Sequence, residues 1–204
     1  MTVTKRREKA TGRMRAEDRS ASMVIEADRQ INLKRSARIS PGDIATDLGT
    51  SRSLVYSYFP DLNALIVAVL DRHADLLSKA GIERAVREAA LIDAATECAT
   101  IYLRHVLEHG SAIELCFREK WLARHLDGRM KRMTKRIIRQ LATLIQRELE
   151  YGPHDALGVV QILLAIPEEG ARLVRNGEIS LEMALALCRR LTVASLEELR
   201  PQHQ

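Results

Sequence analysis

The sequence predicts an all-α fold, and three observations carry that prediction. Aliphatic residues and alanine dominate a chain of 204 residues, 46% hydrophobic and only 3% aromatic. Alternating runs of β-branched residues between closely spaced turns, the mark of a sheet, are absent. Apolar residues instead recur every three or four positions over long spans, with capping residues where those spans begin and end. The length suits one compact protein or two small domains with a sizeable core.

In chain order, residues 1–19 set Lys5, Arg6, Arg7, Lys9, Arg13, Arg15 and Arg19 against Glu8, Glu17 and Asp18, with almost no apolar content. A flexible basic arm is expected, serving either a nucleic-acid backbone and minor groove or solubility alone. From about Ser20 to Lys34, Met23, Val24, Ala27 and Ile31 stand at helical spacing and predict a core-facing helix. Arg35 and Arg38 follow, placed either for phosphate contact or as solvated charge.

Ser40 to Pro60, SPGDIATDLGTSRSLVYSYFP, reads as two short helices around a glycine turn. Ser40 is an N-cap, Pro41 suits the first helical position, and Asp43 stands where a capping box puts an acid. Ile44 and Leu48 are expected to share one apolar face, with Ala45 between them. Gly49 suits a left-handed helix end, and Thr50 or Ser51 can cap the next helix. In that second helix, about 100° of rotation per residue puts Val55 and Phe59 inward, leaving Arg52, Ser53, Leu54 and Tyr56 outward. A helix-turn-helix lays such a helix in the DNA major groove. Tyr56, Tyr58 and Phe59 are three of the chain's seven aromatics, and tyrosines beside reader residues suit phosphate contact.

The run IATDLGTSRSLVYSYF followed by PDLNALI resembles the tetracycline-repressor (TetR) family of bacterial regulators. The resemblance extends back through the preceding helix and covers about residues 20–70. It departs from the family pattern at Arg35, where Gly usually ends the first helix, at Ile39, usually Thr, and at Leu62, often a phosphate-binding Lys. The resemblance implies an N-terminal three-helix DNA-binding domain, residues 1–60, and a C-terminal ligand-sensing and dimerising domain, residues 61–204, about nine helices in all. It also implies that the helix after Asp61 joins reader to sensor. Expected DNA-contacting residues are Ser40, Pro41, Thr50, Ser51, Arg52, Ser53, Leu54, Tyr56, Ser57 and Tyr58.

Past the reader, Asp61 N-caps a helix reaching about Ala80, with Leu65, Val69 and Leu76 in one stripe and Gly81 ending it. A helix from about Glu83 to His109 carries Ile92, Ala95, Ala99, Tyr102 and Val106. Residues 111–126 add a further helix or helical turn bearing Leu115, Cys116, Phe117, Trp121 and Leu122. Large apolar side chains beside a few polar ones line a ligand cavity or simply fill a core; the candidate ligand contacts are Cys98, Tyr102, His105, Phe117 and Trp121. His105-Val-Leu-Glu108-His109 spells H-x-x-E-H, an inverted zinc-protease motif. No flanking sequence nominates a third ligand, so both histidines are read as surface or pocket residues, with no metal or cofactor expected.

A helix from about Asp127 to Tyr151 carries Met130, Met133, Ile137, Leu141, Leu144 and Ile145 on one face, and Arg129, Lys131, Arg132, Lys135, Arg136 and Arg139 elsewhere. That basic side is read as a solvated face, a second DNA surface being the alternative. The span His154 to Val174 is apolar nearly all round, which one core face cannot explain, and Pro167 is expected to kink or break it. Ser180 caps a last helix with Leu181, Ala184, Leu185, Cys188, Leu191 and Leu199. These last two helices are expected to pair with symmetry mates as a four-helix bundle, making a homodimer.

Charge supports the same division. The net charge is +5, and residues 1–60 hold 12 Lys and Arg against 7 Asp and Glu, so the remainder is neutral. A basic head on a neutral body is the footprint of a nucleic-acid module. Cys98, Cys116 and Cys188 lie too far apart for a metal knuckle and are odd in number, which points to reduced thiols in a cytoplasmic protein. No apolar run reaches about 18 residues and no signal core opens the chain, so no membrane is expected as a partner. The expected function is a DNA-binding repressor, not an enzyme, whose partners are an inverted-repeat operator in double-stranded DNA and a small, mainly apolar effector. A ligand-independent DNA-organising protein is the alternative, and a hydrolase using His105, Glu108 and His109 a remoter one.

Overall fold

The computed structural model describes residues 3–87 and 90–200, with side chains from residue 17 onward apart from Ala123. Among the described residues there are eleven helices and no strand. They are α1 (Val3–Lys34), α2 (Pro41–Asp47), α3 (Arg52–Tyr58), α4 (Leu62–Lys79), α5 (Ile82–Ala85), α6 (Leu91–His109), α7 (Ala112–Arg118), α8 (Lys120–Ala123), α9 (Arg129–Leu149), α10 (Pro153–Arg175) and α11 (Leu181–Glu198). The chain forms two compact units, residues 1–72 with 112–128, and residues 73–111 with 129–204. The first unit is wider than the span 1–60 that carries the motif and the excess charge.

In the first unit, Met23, Ala27 and Ile31 of α1 are buried with Ile44 and Ala45 of α2, Val55 of α3, and Leu65, Ile66 and Val69 of α4. Each fully buried side chain of this size contributes about 1.5–3 kcal/mol. Polar groups tie α1 to α2: Arg29 and Gln30 both donate to Asp47, at 2.8 and 3.0 Å. The buried Asp28 carboxylate accepts from Arg72 and Asn32, each at 3.0 Å.

Two expectations for this unit change. The helix expected from Ser20 begins at Val3, because Ala, Lys, Arg, Glu and Met are good helix formers and no proline interrupts residues 3–19. The basic segment is therefore a continuation of α1, although the side chains of Lys5, Arg6, Arg7, Lys9, Arg13 and Arg15 lie outside the described residues. Leu48 does not join Ile44 in the core. It is the C-cap of α2, and the turn leaves it 36% exposed.

In the second unit, α6 is the central helix, packed against α9, α10 and α11. Small residues allow the close approach: Ala99, Leu103 and Val106 of α6 meet Ala171 of α10 and Ala184 and Cys188 of α11. α9 buries Met130, Met133, Ile137, Leu141 and Ile145. Its basic residues face outward or form ion pairs, Arg136 reaching Glu83 at 2.5 Å and Arg129 pairing with Asp75. The helix expected over 83–109 is divided into α5 and α6. The α6 start is secured from a distance, the Glu148 carboxylate accepting from the Leu91 N–H at 3.2 Å. Residues 111–126 likewise divide into α7 and α8 at Glu119, whose backbone is extended. Pro167 lies within α10 without breaking it.

Arg35 is the one departure from family pattern that stores strain. It takes φ 49°, the left-handed region, directly after α1, and the Ser36 N–H then bonds the Ile31 carbonyl at 3.2 Å. The same hydrogen-bonded ending is used with or without glycine, at a cost of about 1–2 kcal/mol for a residue with a Cβ. Arg35→Gly is expected to raise stability by about 0.5–1 kcal/mol, the relieved strain exceeding the added chain entropy. Denaturant unfolding checks this, and a loss of stability would contradict it.

Candidate nucleic-acid interface and core cavity

The hairpin of α2 and α3 is built from its caps. Ser40 accepts from the Gly42 N–H at 3.1 Å, and Pro41 occupies the first position of α2. Asp43 does not complete a capping box; its carboxylate takes Lys34 at 2.7 Å instead. Gly49 adopts φ 61°, the Thr50 N–H bonds the Ala45 carbonyl at 2.8 Å, and the Gly49 N–H bonds Thr46 at 3.1 Å. That pair of bonds is the Schellman ending, and it brings Ser51 into place to cap α3 through the Leu54 N–H at 3.2 Å.

α3 then has two sides. Val55 is 1% exposed and Phe59, its C-cap, is buried. Arg52, Ser53, Tyr56 and Ser57 face solvent, while Thr50, Leu54 and Tyr58 are half-buried. Arg52 donates to the Tyr56 hydroxyl at 3.1 Å with its guanidinium over the ring, which holds that group charged even more firmly than usual. Ser40 and Ser51 each use an oxygen lone pair as caps; Ser40 keeps an O–H to offer a phosphate, whereas the Ser51 and Ser53 hydroxyls share a hydrogen bond at 3.0 Å. Ser57 differs, since its hydroxyl donates to the Leu54 carbonyl at 2.7 Å.

The candidate ligand contacts divide between the two units. Cys98, Tyr102 and His105 lie in the second unit, whereas Phe117 and Trp121 fold with the first. Of the five, Cys98 lines a cavity of about 30 Å³ walled by α6, α9, α10 and α11, together with Ala99, Ile145, Leu164, Pro167 and Thr192. Trp121 is 37% exposed, its indole donating to Glu119 at 2.9 Å. The Tyr102 hydroxyl is bonded to Glu168 of α10. Helix periodicity places Phe117 and Trp121 on apolar faces but carries no information on which unit receives them.

His105 and His109 belong to a cluster that sequence spacing could not complete. His73, fully buried on α4, bonds His105 at 2.9 Å, with the His105 and His109 rings 4.9 Å apart. Glu108, the residue an H-x-x-E-H site would use as base, projects outward with 74% exposure. Among the described residues no group of three or more His, Cys, Asp or Glu side chains has the arrangement of a metal site.

No protein-family model matches the chain. A TetR-like transcriptional regulator from Rhodococcus sp. RHA1 superposes with a TM-score of 0.64 at 19% identity, covering 88% of this chain and 96% of that one. The fold is TetR-like. The TetR-like regulator LfrR from Mycobacterium smegmatis, solved in complex with proflavine, gives 0.58 at 19% identity over 92% of this chain and 99% of that one. In sequence, 65 residues are 34% identical to the HTH-type transcriptional regulator EthR of Mycolicibacterium smegmatis. The match spans 30% of that protein's length and 32% of this chain. Within the first unit Ile39 is a core residue, 5% exposed, and Leu62 is half-buried at the start of α4.

All three thiols are buried. Burial pushes Cys98 and Cys116 up to about 12, helped by nearby Glu97 and by Asp28 with Glu119 respectively, and pushes Cys188 up to about 11. Since only thiolate attacks alkylating reagents, iodoacetamide at pH 8 is expected to leave the folded protein essentially unmodified over minutes and to label three thiols in denaturant. Rapid labelling of any one in the folded state would contradict the buried placement.

Proposed function

We propose that this chain is a one-component transcriptional repressor: residues 1–60 read DNA, residues 61–204 sense an effector and dimerise, and it works in the cytoplasm without catalysing a reaction. One observation carries the reading. A capped, seven-residue α3 buries Val55 and turns Arg52, Ser53 and Tyr56 outward, within the first sixty residues, whose excess of Lys and Arg equals the net charge of the whole chain. The similarity to solved TetR-like regulators supports it.

In this reading α3 enters the major groove and the caps meet the backbone. Arg52 pairs with guanine, Ser53 with either kind of base, and Leu54 with a thymine methyl. Ser40, Thr50, Ser51, Tyr56 and Tyr58 hold phosphates, the Ser40 hydroxyl through its remaining O–H donor. Pro41 and Ser57 lie at the edge of the same surface.

Dimerisation is supported by an apolar face that the chain leaves uncovered. On α11, Ala184, Cys188, Thr192 and Leu196 turn inward, while Leu181, Met183, Leu187 and Leu191 are exposed. Leu157 and Ile162 of α10 are exposed as well, Ile162 at 72%. A two-fold axis through α10 and α11 would cover these side chains and set two α3 helices about 34–36 Å apart, calling for an inverted-repeat operator. An effector releases DNA by favouring a conformation with another reader spacing. No described helix is long and apolar enough to cross a membrane.

Selection from random duplexes tests this reading, with an inverted repeat as the expected product. Arg52→Ala should lose about 10–100-fold in affinity for that repeat and little on random DNA, because a bidentate base contact is worth about 1–3 kcal/mol. Equal losses on both would remove Arg52 as a reader. Leu191→Glu should turn a dimer into a monomer in sedimentation; unchanged mass would remove α11 from the interface. Weak binding at many unrelated sequences would favour the DNA-organising alternative.

A further inference from the structure

We infer that the cavity walled by α6, α9, α10 and α11 takes a slender, uncharged, mainly apolar molecule bearing one hydrogen-bonding group, which pairs with the Thr192 hydroxyl. This rests on the second unit being the effector sensor, and it assigns the chemistry of the occupant and the wall that yields to it.

The lining sets the chemistry. No charged side chain lines the cavity, and among its described lining residues Thr192 alone is polar. A charged ligand would therefore lose its hydration with nothing in return. Ala95, Cys98 and Ala99 supply only small side chains from α6, leaving a narrow groove along that helix.

Among the described residues two helical threonines, Thr96 and Thr192, have a buried hydroxyl with no partner, and of the two only Thr192 lines the cavity. Thr46, Thr100 and Thr143 also sit in helices, and each donates to the carbonyl four residues back, at 3.0, 2.8 and 2.9 Å. Thr192 is 1% exposed and its Oγ1 makes no hydrogen bond. Folded proteins rarely leave a buried hydroxyl unpaired, because its lost hydration is not replaced. An occupant with a hydroxyl, carbonyl or ether oxygen at that end supplies the missing partner, since the threonine O–H both donates and accepts.

Size identifies what moves. About 30 Å³ admits about two waters, whereas small-molecule pockets run to about 300–1,000 Å³. A wall must yield, and α10 is built to do so. Pro167 has no N–H to bond the Leu163 carbonyl, and Leu163, Leu164 and Pro167 all line the cavity. The opposite side of α10 bears the exposed Ile162, so an occupant acts on the helix that presents this apolar side chain.

The test uses 1-heptanol as probe and heptanoate as its charged counterpart, with DNA-free protein and calorimetric titration. Wild type should bind heptanol and not heptanoate. Thr192→Val, which keeps shape and removes the hydroxyl, should bind heptanol about tenfold more weakly while retaining full helical circular dichroism. Leu164→Phe, which fills the space, should abolish binding with the fold likewise retained. Equal heptanol affinity in wild type and Thr192→Val, binding by Leu164→Phe, or tight binding of heptanoate each overturns the assignment. Because no DNA is present, these outcomes stand apart from the operator experiments; heptanol binding beside a failure to bind duplex would overturn the repressor reading and leave the cavity assignment intact.

Discussion

The interaction on which the molecule depends is the burial of Val55. A helix of seven residues cannot hold its own shape in water, since nucleation costs more than so few hydrogen bonds return. α3 persists because Val55 and Phe59 are buried, because it packs against α2, and because Ser51 and the Gly49 turn set where it begins. Everything presented outward, from the Arg52 and Tyr56 pair to the cap hydroxyls, inherits its position from those few contacts. The outward surface of α3 is therefore only as well defined as the small core beneath it.

Much of this was legible in the residues, and the reasons are local. Ser40, Pro41, Gly49, Ser51, Asp61 and Ser180 each act within three residues of themselves, so their capping roles follow from order along the chain alone. The inward turn of Val55 and Phe59 follows from helical rotation. Other features depend on partners distant in sequence. Asp43 stands at a capping-box position, but Lys34, nine residues back, competes for it. Glu148 starts α6 from 57 residues away, and no pattern around Leu91 announces that. His73 completes the histidine cluster from α4, 32 residues before His105. Phe117 and Trp121 look as fit for a sensor cavity as Tyr102 does, because periodicity reports a buried face and not the unit that buries it.

The helices at the C-terminal end show how one apolar segment serves two purposes. Nearly uniform hydrophobicity in α10 and α11 hides a division that appears only in three dimensions. The small residues Ala171, Ala184 and Cys188 go inward, where close helix approach needs little volume. The larger Ile162, Met183, Leu187 and Leu191 remain outside. Solvent contact at this scale is unfavourable for an isolated chain. The arrangement keeps the interior tight enough that the enclosed space is far smaller than an ordinary ligand, so a ligand of ordinary size would have to prise a helix aside.

The seclusion of all three native thiols gives the molecule an unusual convenience. A cysteine introduced on the outward side of the reader helix, in place of Ser53 for instance, would be the only sulfhydryl able to react quickly under native conditions. A nitroxide carried there would occur once per chain, and a symmetric pair of chains would yield a single inter-label distance. In such a pair, pulsed dipolar spectroscopy could then follow the gap between the two α3 helices directly, with and without a small molecule added, in a protein whose other side chains need no alteration.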